Sequence, residues 1–504
     1  MIRQFTAIFA SLGAALLTIS TPVPGSTGTE AATPGTAEHN GPDGSTPLQW
    51  AVFNNAEEQV KRLLAGGANV SEANAYGVTP MQLAAESGNA AILKRLLAAG
   101  ANVESPNSEG QTALMLVSRT GNVEAAELLI KHGANVNAVE RFGGQTALMW
   151  ASARRHPEMV NLLASKGANV DARAIERHYE RHITAEGRYK DTDTGGLTAL
   201  LYAARENCDG CIAALLAHHA NINLPDPDGV GPLTIALMND NWDVAKRLIT
   251  AGADVNEWDI YGEAPLHVAV EMGFVGGRGA RSSQAAVPNA TDPEQIVHML
   301  VERGANPNQQ MFFRAPRAPG SVSSGSRGTT PFHRACASGD VELVKYLLAH
   351  GADINLNQAD DESPMMFAAG ARRSESDVID VLRVLHAAGA NVNVVAKRFV
   401  LQRLRGGTAL HVATKRGLKK VMAELVAEGA DVNLKDPDGL TALDYAMSRG
   451  WLAFLATRPP PRNDLAKVLR DLGANVELSK VPNWPAEFAP IGLPRDHESD
   501  IWPL

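Results

Sequence analysis

Apolar residues come along this chain in short bursts of two alternating kinds, separated by polar turns. The first kind is built on small side chains, as in Thr79-Pro80-Met81-Gln82-Leu83-Ala84, Thr146-Ala147-Leu148-Met149-Trp150-Ala151 and Thr408-Ala409-Leu410-His411-Val412-Ala413. The second is richer in leucine, as in Ala90-Ala91-Ile92-Leu93-Lys94-Arg95-Leu96-Leu97, and closes on Gly-Ala-Asn or Gly-Ala-Asp. That tripeptide stands at Gly67, Gly100, Gly133 and Gly167, intervals of 33, 33 and 34 residues. It returns at Gly252, Gly304, Gly351, Gly389, Gly429 and Gly473, with His219-Ala220-Asn221 as a variant copy. Repetition on this period predicts a stack of like units, none able to bury its apolar face alone.

Each unit reads as two helices. Thr or Ser opens nine of the eleven copies, where a hydroxyl can accept from the free amides of a helix start. Pro or Ala follows, at a position where a missing N–H costs nothing. Gly just past the second burst suits a left-handed C-cap. Pairs such as Asp228-Gly229 and Asp438-Gly439 make the turn into the next unit. These units resemble ankyrin repeats: the T-P-L-H-x-A motif, the terminal Gly-Ala-Asn/Asp-x-Asn and the period match over residues 44–478. The resemblance implies an all-α solenoid of about eleven helix–turn–helix units with short β-hairpin or loop fingers. The motif histidine survives only at His267, His333 and His411, so the family's Thr–His bonding is expected to be lost in most units. Gly231 and Ala264 replace the capping hydroxyl and predict weaker helix starts. The Thr-Ala-Leu-Met variant with long insertions is similar to exported ankyrin-repeat proteins of environmental bacteria, a likeness that implies a fold and no chemistry.

Longer intervals place insertions at 172–195, 273–293, 308–328, 394–406 and 456–463. The one at 273–293 falls between the two helices of a unit, whereas those between units extend the fingers. Residues 5–19 are apolar, follow Arg3, and are too short to span a bilayer comfortably; Ser20-Thr21-Pro22-Val23-Pro24-Gly25 then breaks any helix. We read 1–25 as a signal peptide and expect a periplasmic or secreted protein. Residues 26–43, rich in Gly, Thr, Ser, Ala and Pro, read as a flexible linker. The tail at 479–504 carries Trp484 and Trp502 and is expected to fold back over the last repeat.

A net charge of −9 disfavours phosphate-backbone binding, so no nucleic acid is expected. Cys208-Asp209-Gly210-Cys211 precedes Ile212 rather than His, which excludes haem attachment, and sits in a helical unit rather than beside a strand. Given export, a local disulfide between Cys208 and Cys211 is favoured; free thiols, redox chemistry or a zinc site remain open. Cys336 occupies a small-residue position and reads as a core thiol. His178 and His182, four residues apart, lack both a zinc protease's following Glu and a third ligand, and read as a solvated finger. The stretches at 226–229 and 436–439 faintly resemble calcium loops, but Leu237 and Met447 stand where the closing acid belongs. No nucleophile elbow, phosphate loop or dinucleotide fingerprint is present, so neither enzyme activity nor a cofactor or metal is expected.

What remains is surface. The resemblance places partner contacts on the finger tips and on the exposed ends of the first helices. By position these are Tyr76, Glu109, Phe142, Asp228, Ile260, Tyr261 and Asp438 on fingers, and Phe53, Arg154, Arg205, Met238 and Arg416 on helix ends. Trp50, Trp150 and Tyr202, at the fifth motif position, read instead as inter-repeat packing. Two fingers carry bases and no acid: Arg314, Arg317 and Arg327 in 308–328, and Lys397, Arg398, Arg403 and Arg405 in 394–406. The expected function is a monomeric, non-enzymatic scaffold binding a protein partner, with a secreted effector acting on another cell as the alternative and an enzyme sited in the insertions as a remote one.

Overall fold

The computed structural model describes residues 41, 43–178, 194–275, 289–312, 327–397, 406–448 and 460–475. The segment read as a signal peptide, nearly all of that read as a linker, the tail and the centres of the insertions lie outside these residues. Among the described residues, 22 α-helices stack as eleven pairs. They run α1 (Pro47–Phe53) with α2 (Glu57–Ala65), α3 (Pro80–Ser87) with α4 (Ala90–Ala98), α5 (Ala113–Thr120) with α6 (Val123–Lys131), and α7 (Ala147–Ala153) with α8 (Pro157–Ser165). Next come α9 (Ala199–Arg205) with α10 (Asp209–Ala217), α11 (Pro232–Met238) with α12 (Trp242–Thr250), α13 (Pro265–Val270) with α14 (Pro293–Glu302), and α15 (Pro331–Ser338) with α16 (Val341–Ala349). The last are α17 (Pro364–Ala369) with α18 (Glu375–Ala387), α19 (Ala409–Arg416) with α20 (Lys419–Ala427), and α21 (Ala442–Ala446) with α22 (Asn463–Asp471).

Seven of the nine predicted hydroxyl caps form, while Ser363 and Thr408 accept no such bond. Thr46 Oγ1 accepts from Gln49 N at 3.2 Å, and Thr330 Oγ1 from His333 N at 3.2 Å. Outer helices are capped by Asn89, Asn122 and Asp340, each accepting from the third helical amide. Gly231 and Ala264 contribute no side-chain cap, as expected. Burial follows the helical period: Ile92, Leu93 and Leu96 of α4 are fully buried, as are Ala84 and Ala85 of α3. One continuous apolar core therefore runs the length of the stack.

The Thr–His bonding is lost in most units, as expected, but two glutamines restore its link. At His267 and His411, Nδ1 accepts the cap amide and Nε2 reaches the next unit, as His411 does from Thr408 N (3.1 Å) and to Leu440 O (3.2 Å). Gln49 reproduces both bonds: Oε1 accepts from Thr46 N, and Nε2 donates to Val78 O at 2.5 Å. Gln82 does the same between Thr79 N and Ser105 O. A carboxamide holds an acceptor and a donor at opposite faces, as neutral imidazole does, so the link survives at these two units.

Two ladders join the units. On one edge, in five units, the second Asn of Gly-Ala-Asn-x-Asn donates to the next unit's Gly carbonyl and accepts from its Asn or Asp amide. Asn308 bonds Gly351 O (2.8 Å) and Asp353 N (2.8 Å) in this way. At several helix–helix turns, a side chain of the following unit satisfies the last carbonyls of the preceding inner helix. Asn122 reaches Gly88 O, Asn241 reaches Ala204 O, Arg373 reaches Ser338 O and Arg416 reaches Ala369 O. The insertion at 172–195 leaves the solenoid as an antiparallel pair, β1 (Glu176–Arg177) with β2 (Thr194–Gly195). The insertion at 394–406 leaves through a bridge between Ala396 and Gly407.

Candidate partner-binding surface

The fingers are held by side chains acting on their own backbones. Asn74 Oδ1 accepts from Tyr76 N and Val78 N, and Asp226 Oδ1 from Asp228 N and Val230 N. Asp436 Oδ1 likewise accepts from Asp438 N and Leu440 N, and its other oxygen takes the Tyr445 hydroxyl at 2.6 Å. The Asp-Pro-Asp-Gly stretches are thus turn-forming. Adjacent fingers also bond backbone to backbone: Arg141 N to Glu109 O, Ile260 N to Asp228 O, Phe312 N to Tyr261 O and Lys397 N to Asp360 O. This makes the finger edge a rigid strip rather than separate loops.

Several proposed contact residues stand clear of that strip. Tyr76 is 74% exposed and Phe142 64%, while Glu109 is exposed beside them. Arg177 lies over the Phe142 ring at 4.9 Å. Others do not. Tyr261 is completely buried, because the base of the next finger folds over it and seats Met311 against its ring. Asp228 is buried and Ile260 half-buried, since the finger-to-finger bonding draws both inward. Asp438 is half-buried in its turn. The structure adds Trp258 and Phe312, 51% and 41% exposed, stacked edge to face at 5.0 Å. The sequence held a signal for Trp258: a large apolar ring between Asn256 and Asp259, where no helix could bury it.

At the helix ends, Phe53 is exposed, as are Arg154 and Arg205. Arg205 pairs with Glu206 at 2.8 Å and covers the Tyr202 ring at 5.0 Å. Met238 is half-buried, and Arg416 is half-buried with its guanidinium on Ala369 O. Trp150 and Tyr202 are buried as expected, joined through Gln145, which accepts from Trp150 Nε1 and donates to the Tyr202 hydroxyl. Trp50 is a correction: it is 41% exposed, because the first described unit has no preceding described unit to cover it.

Arg398, Arg403 and Arg405, with Arg314 and Arg317, lie outside the described residues. Lys397, at the base of that finger, is not free of acids in space: its ammonium sits 3.0 Å from Asp361 of the neighbouring finger. Cys208 caps α10 and its sulfur lies 1.97 Å from that of Cys211, at bonding distance, with both residues buried. Burial pushes the Cys336 thiol up, away from ionisation. His182 lies outside the described residues, and among those described no cluster of three His, Cys, Asp or Glu side chains is placed to hold a metal. Among the described residues, no helix is long and apolar enough to cross a membrane.

One buried site had no counterpart in the sequence reading. Arg334, at the fifth motif position of α15, is wholly buried. It meets Glu263 at 2.8 Å and Glu271 at 3.6 Å, and its Nη2 lies 3.2 Å from Met311 Sδ. Glu271 opens a π-turn (Glu271–Val275) that leads from α13 into the 273–293 insertion. Burial holds the neighbouring His267 well below the ordinary histidine range, and the Arg334 charge adds to this. Burial also lowers His333, to about 4. The signal was an arginine in a row otherwise occupied by residues such as Trp150, Tyr202 and Phe367.

With this geometry in view, comparison places the chain in a family. The profile of ankyrin repeats (3 copies) matches residues 29–107, 88–174, 200–311, 282–396 and 371–479, and the chain belongs to the ankyrin-repeat family. The mouse B-cell lymphoma 3 protein homolog is 34% identical over 240 residues, 46% of this chain and 51% of that protein. Human transient receptor potential cation channel subfamily A member 1 is 27% identical over 265 residues, 48% of this chain and 20% of the channel. The chain thus matches only a fifth to a half of the length of these relatives. The solved ankyrin repeat domain of Bcl-3 aligns with all of its own length over 52% of this chain, at 24% identity and a TM-score of 0.39.

Proposed function

We propose that this chain is a non-enzymatic scaffold that binds a protein partner along its finger edge, acting in the periplasm or outside the cell. The observation that carries the binding surface is the exposure of Tyr76, Phe142, Trp258 and Phe312 on fingers that are themselves hydrogen-bonded into a strip. Large rings held at low conformational cost are the side chains that anchor interfaces. The basic residues Arg398, Arg403 and Arg405 add a charge that would steer an acidic partner. Export rests on the apolar N-terminal run alone.

The partner is to be captured with the mature protein from an extracytoplasmic fraction and identified, and its affinity then measured. Replacing Tyr76, Phe142 and Trp258 together by Ser should weaken binding at least tenfold while leaving the fold intact, since exposed substitutions stay within about 0.5 kcal/mol each. Replacing Arg398, Arg403 and Arg405 by Ser should slow association and flatten its salt dependence. Unchanged affinity in the aromatic variant would rule out the finger edge.

A further inference from the structure

The Asn ladder has a vacant rung. Asn137, Asn256, Asn308, Asn393 and Asn433 each donate to the next unit's glycine carbonyl and accept from the amide two residues beyond it. Asn355 is the same residue in the same place, yet among the described residues its side chain makes neither bond. Gly389 O and Asn391 N, its counterparts in the next unit, lack that partner. The outer helix before Gly389, α18, has 13 residues where most outer helices have nine.

A cleft of about 280 Å³ opens at this rung, lined by Ile354, Asn355, Asn357, Ser363, Met365, Ala390, Asn391 and Val394. All eight residues are neutral. Among the described residues, two polar atoms at the cleft are buried without a partner: Ser363 Oγ, on a residue only 4% exposed, and Asn357 Oδ1. Asn355 and Asn391 are exposed. The cleft therefore offers the Asn391 backbone, the Ser363 hydroxyl and the Asn357 side-chain carbonyl around apolar walls, and the group that fills the equivalent place in five other rungs is a carboxamide.

We propose that the cleft between the eighth and ninth units receives a primary carboxamide, carried on a Gln or Asn side chain of a protein partner. A carboxamide has an acceptor for Asn391 N–H and a donor for Asn357 Oδ1. A carboxylate fits poorly, because it has no donor for Asn357 Oδ1 and the described residues that line the cleft are all neutral. The identity of the occupant rests on the protein-binding reading above. The cleft itself does not, so the two can fail separately.

The test is saturation-transfer NMR on the full chain with three probes: N-acetyl-glutamine methylamide, its glutamate analogue and its leucine analogue. The glutamine probe should give a signal several-fold above the other two. Val394→Phe, which fills the cleft, should remove the difference, and Asn308→Ala, at an occupied rung, should not. Ser363→Ala, which deletes one unpartnered hydroxyl, should reduce the glutamine signal and keeps the test decisive if the Phe variant fails to fold. Equal signals from all three probes, or a glutamine signal untouched by Ser363→Ala, would overturn the proposal in favour of a cleft filled by water alone.

Discussion

His219 stands where ten other units place Gly after the outer helix, and its backbone keeps the glycine conformation at φ 63°. Left-handed backbone strains an L-residue because Cβ crowds the carbonyl, by roughly 1–2 kcal/mol. Nothing offsets that strain here: the side chain is exposed, and among the described residues it makes no hydrogen bond or ion pair. His219→Gly is therefore expected to stabilise the protein by about 1 kcal/mol in urea unfolding, whereas His219→Ala should not. A fall in stability on the Gly substitution would show that the imidazole holds a contact of its own. At this scale the sequence was legible where a residue acts on its own backbone. The caps, the turn aspartates and the left-handed glycines all follow from local geometry. It misled where a residue's partner lies a unit away. Gln49 and Gln82 look like losses of the motif histidine until their amides are seen to reach Val78 O and Ser105 O. Tyr261 looks like a finger tip until Met311 covers it.

Among the elements, the junction of the seventh and eighth units differs most from its neighbours. Here α13 ends in a π-turn, α15 carries the buried Arg334, and both long insertions begin nearby. The two motif histidines at this junction are buried and neutral, so protons bind them better in the unfolded chain than in the folded one. His333 falls from 6.5 to about 4 on folding. Its contribution is complete above pH 6.5 and is lost as the pH drops toward 4, with about 2 kcal/mol gone by pH 5. Urea midpoints at pH 7 and pH 5 should therefore differ markedly in the wild type and less in His333→Gln, a replacement that copies the chain's own solution at Gln82. Equal pH sensitivity in the two proteins would place the titration elsewhere. The helices and their pairing were readable from the 33-residue period, because each unit repeats the same local solution. The Arg334–Glu263–Glu271 cluster was not, because Glu271 is brought to Arg334 only by a π-turn that no periodicity announces.

For the whole molecule, compartment and covalent structure are one question. A chain that keeps its first 25 residues and stays in a reducing compartment should hold Cys208 and Cys211 as thiols. A chain that is exported should lose that segment and oxidise the pair, whose sulfurs the fold already brings to bonding distance at the start of α10. Their loop is small, so closing it would contribute only about 2 kcal/mol to one unit of a stack whose units contact their neighbours alone. Reduction should therefore loosen the fifth unit and leave the remainder folded. We expect native protein to begin between about residues 21 and 33, and thiol counting on unreduced, denatured material to find one free cysteine. That cysteine is Cys336, which is buried and should react only after denaturation. Three reactive thiols on a chain starting at Met1 would reject both export and the bond. Three thiols on a processed chain would reject the bond alone, and one thiol on an unprocessed chain would reject export alone.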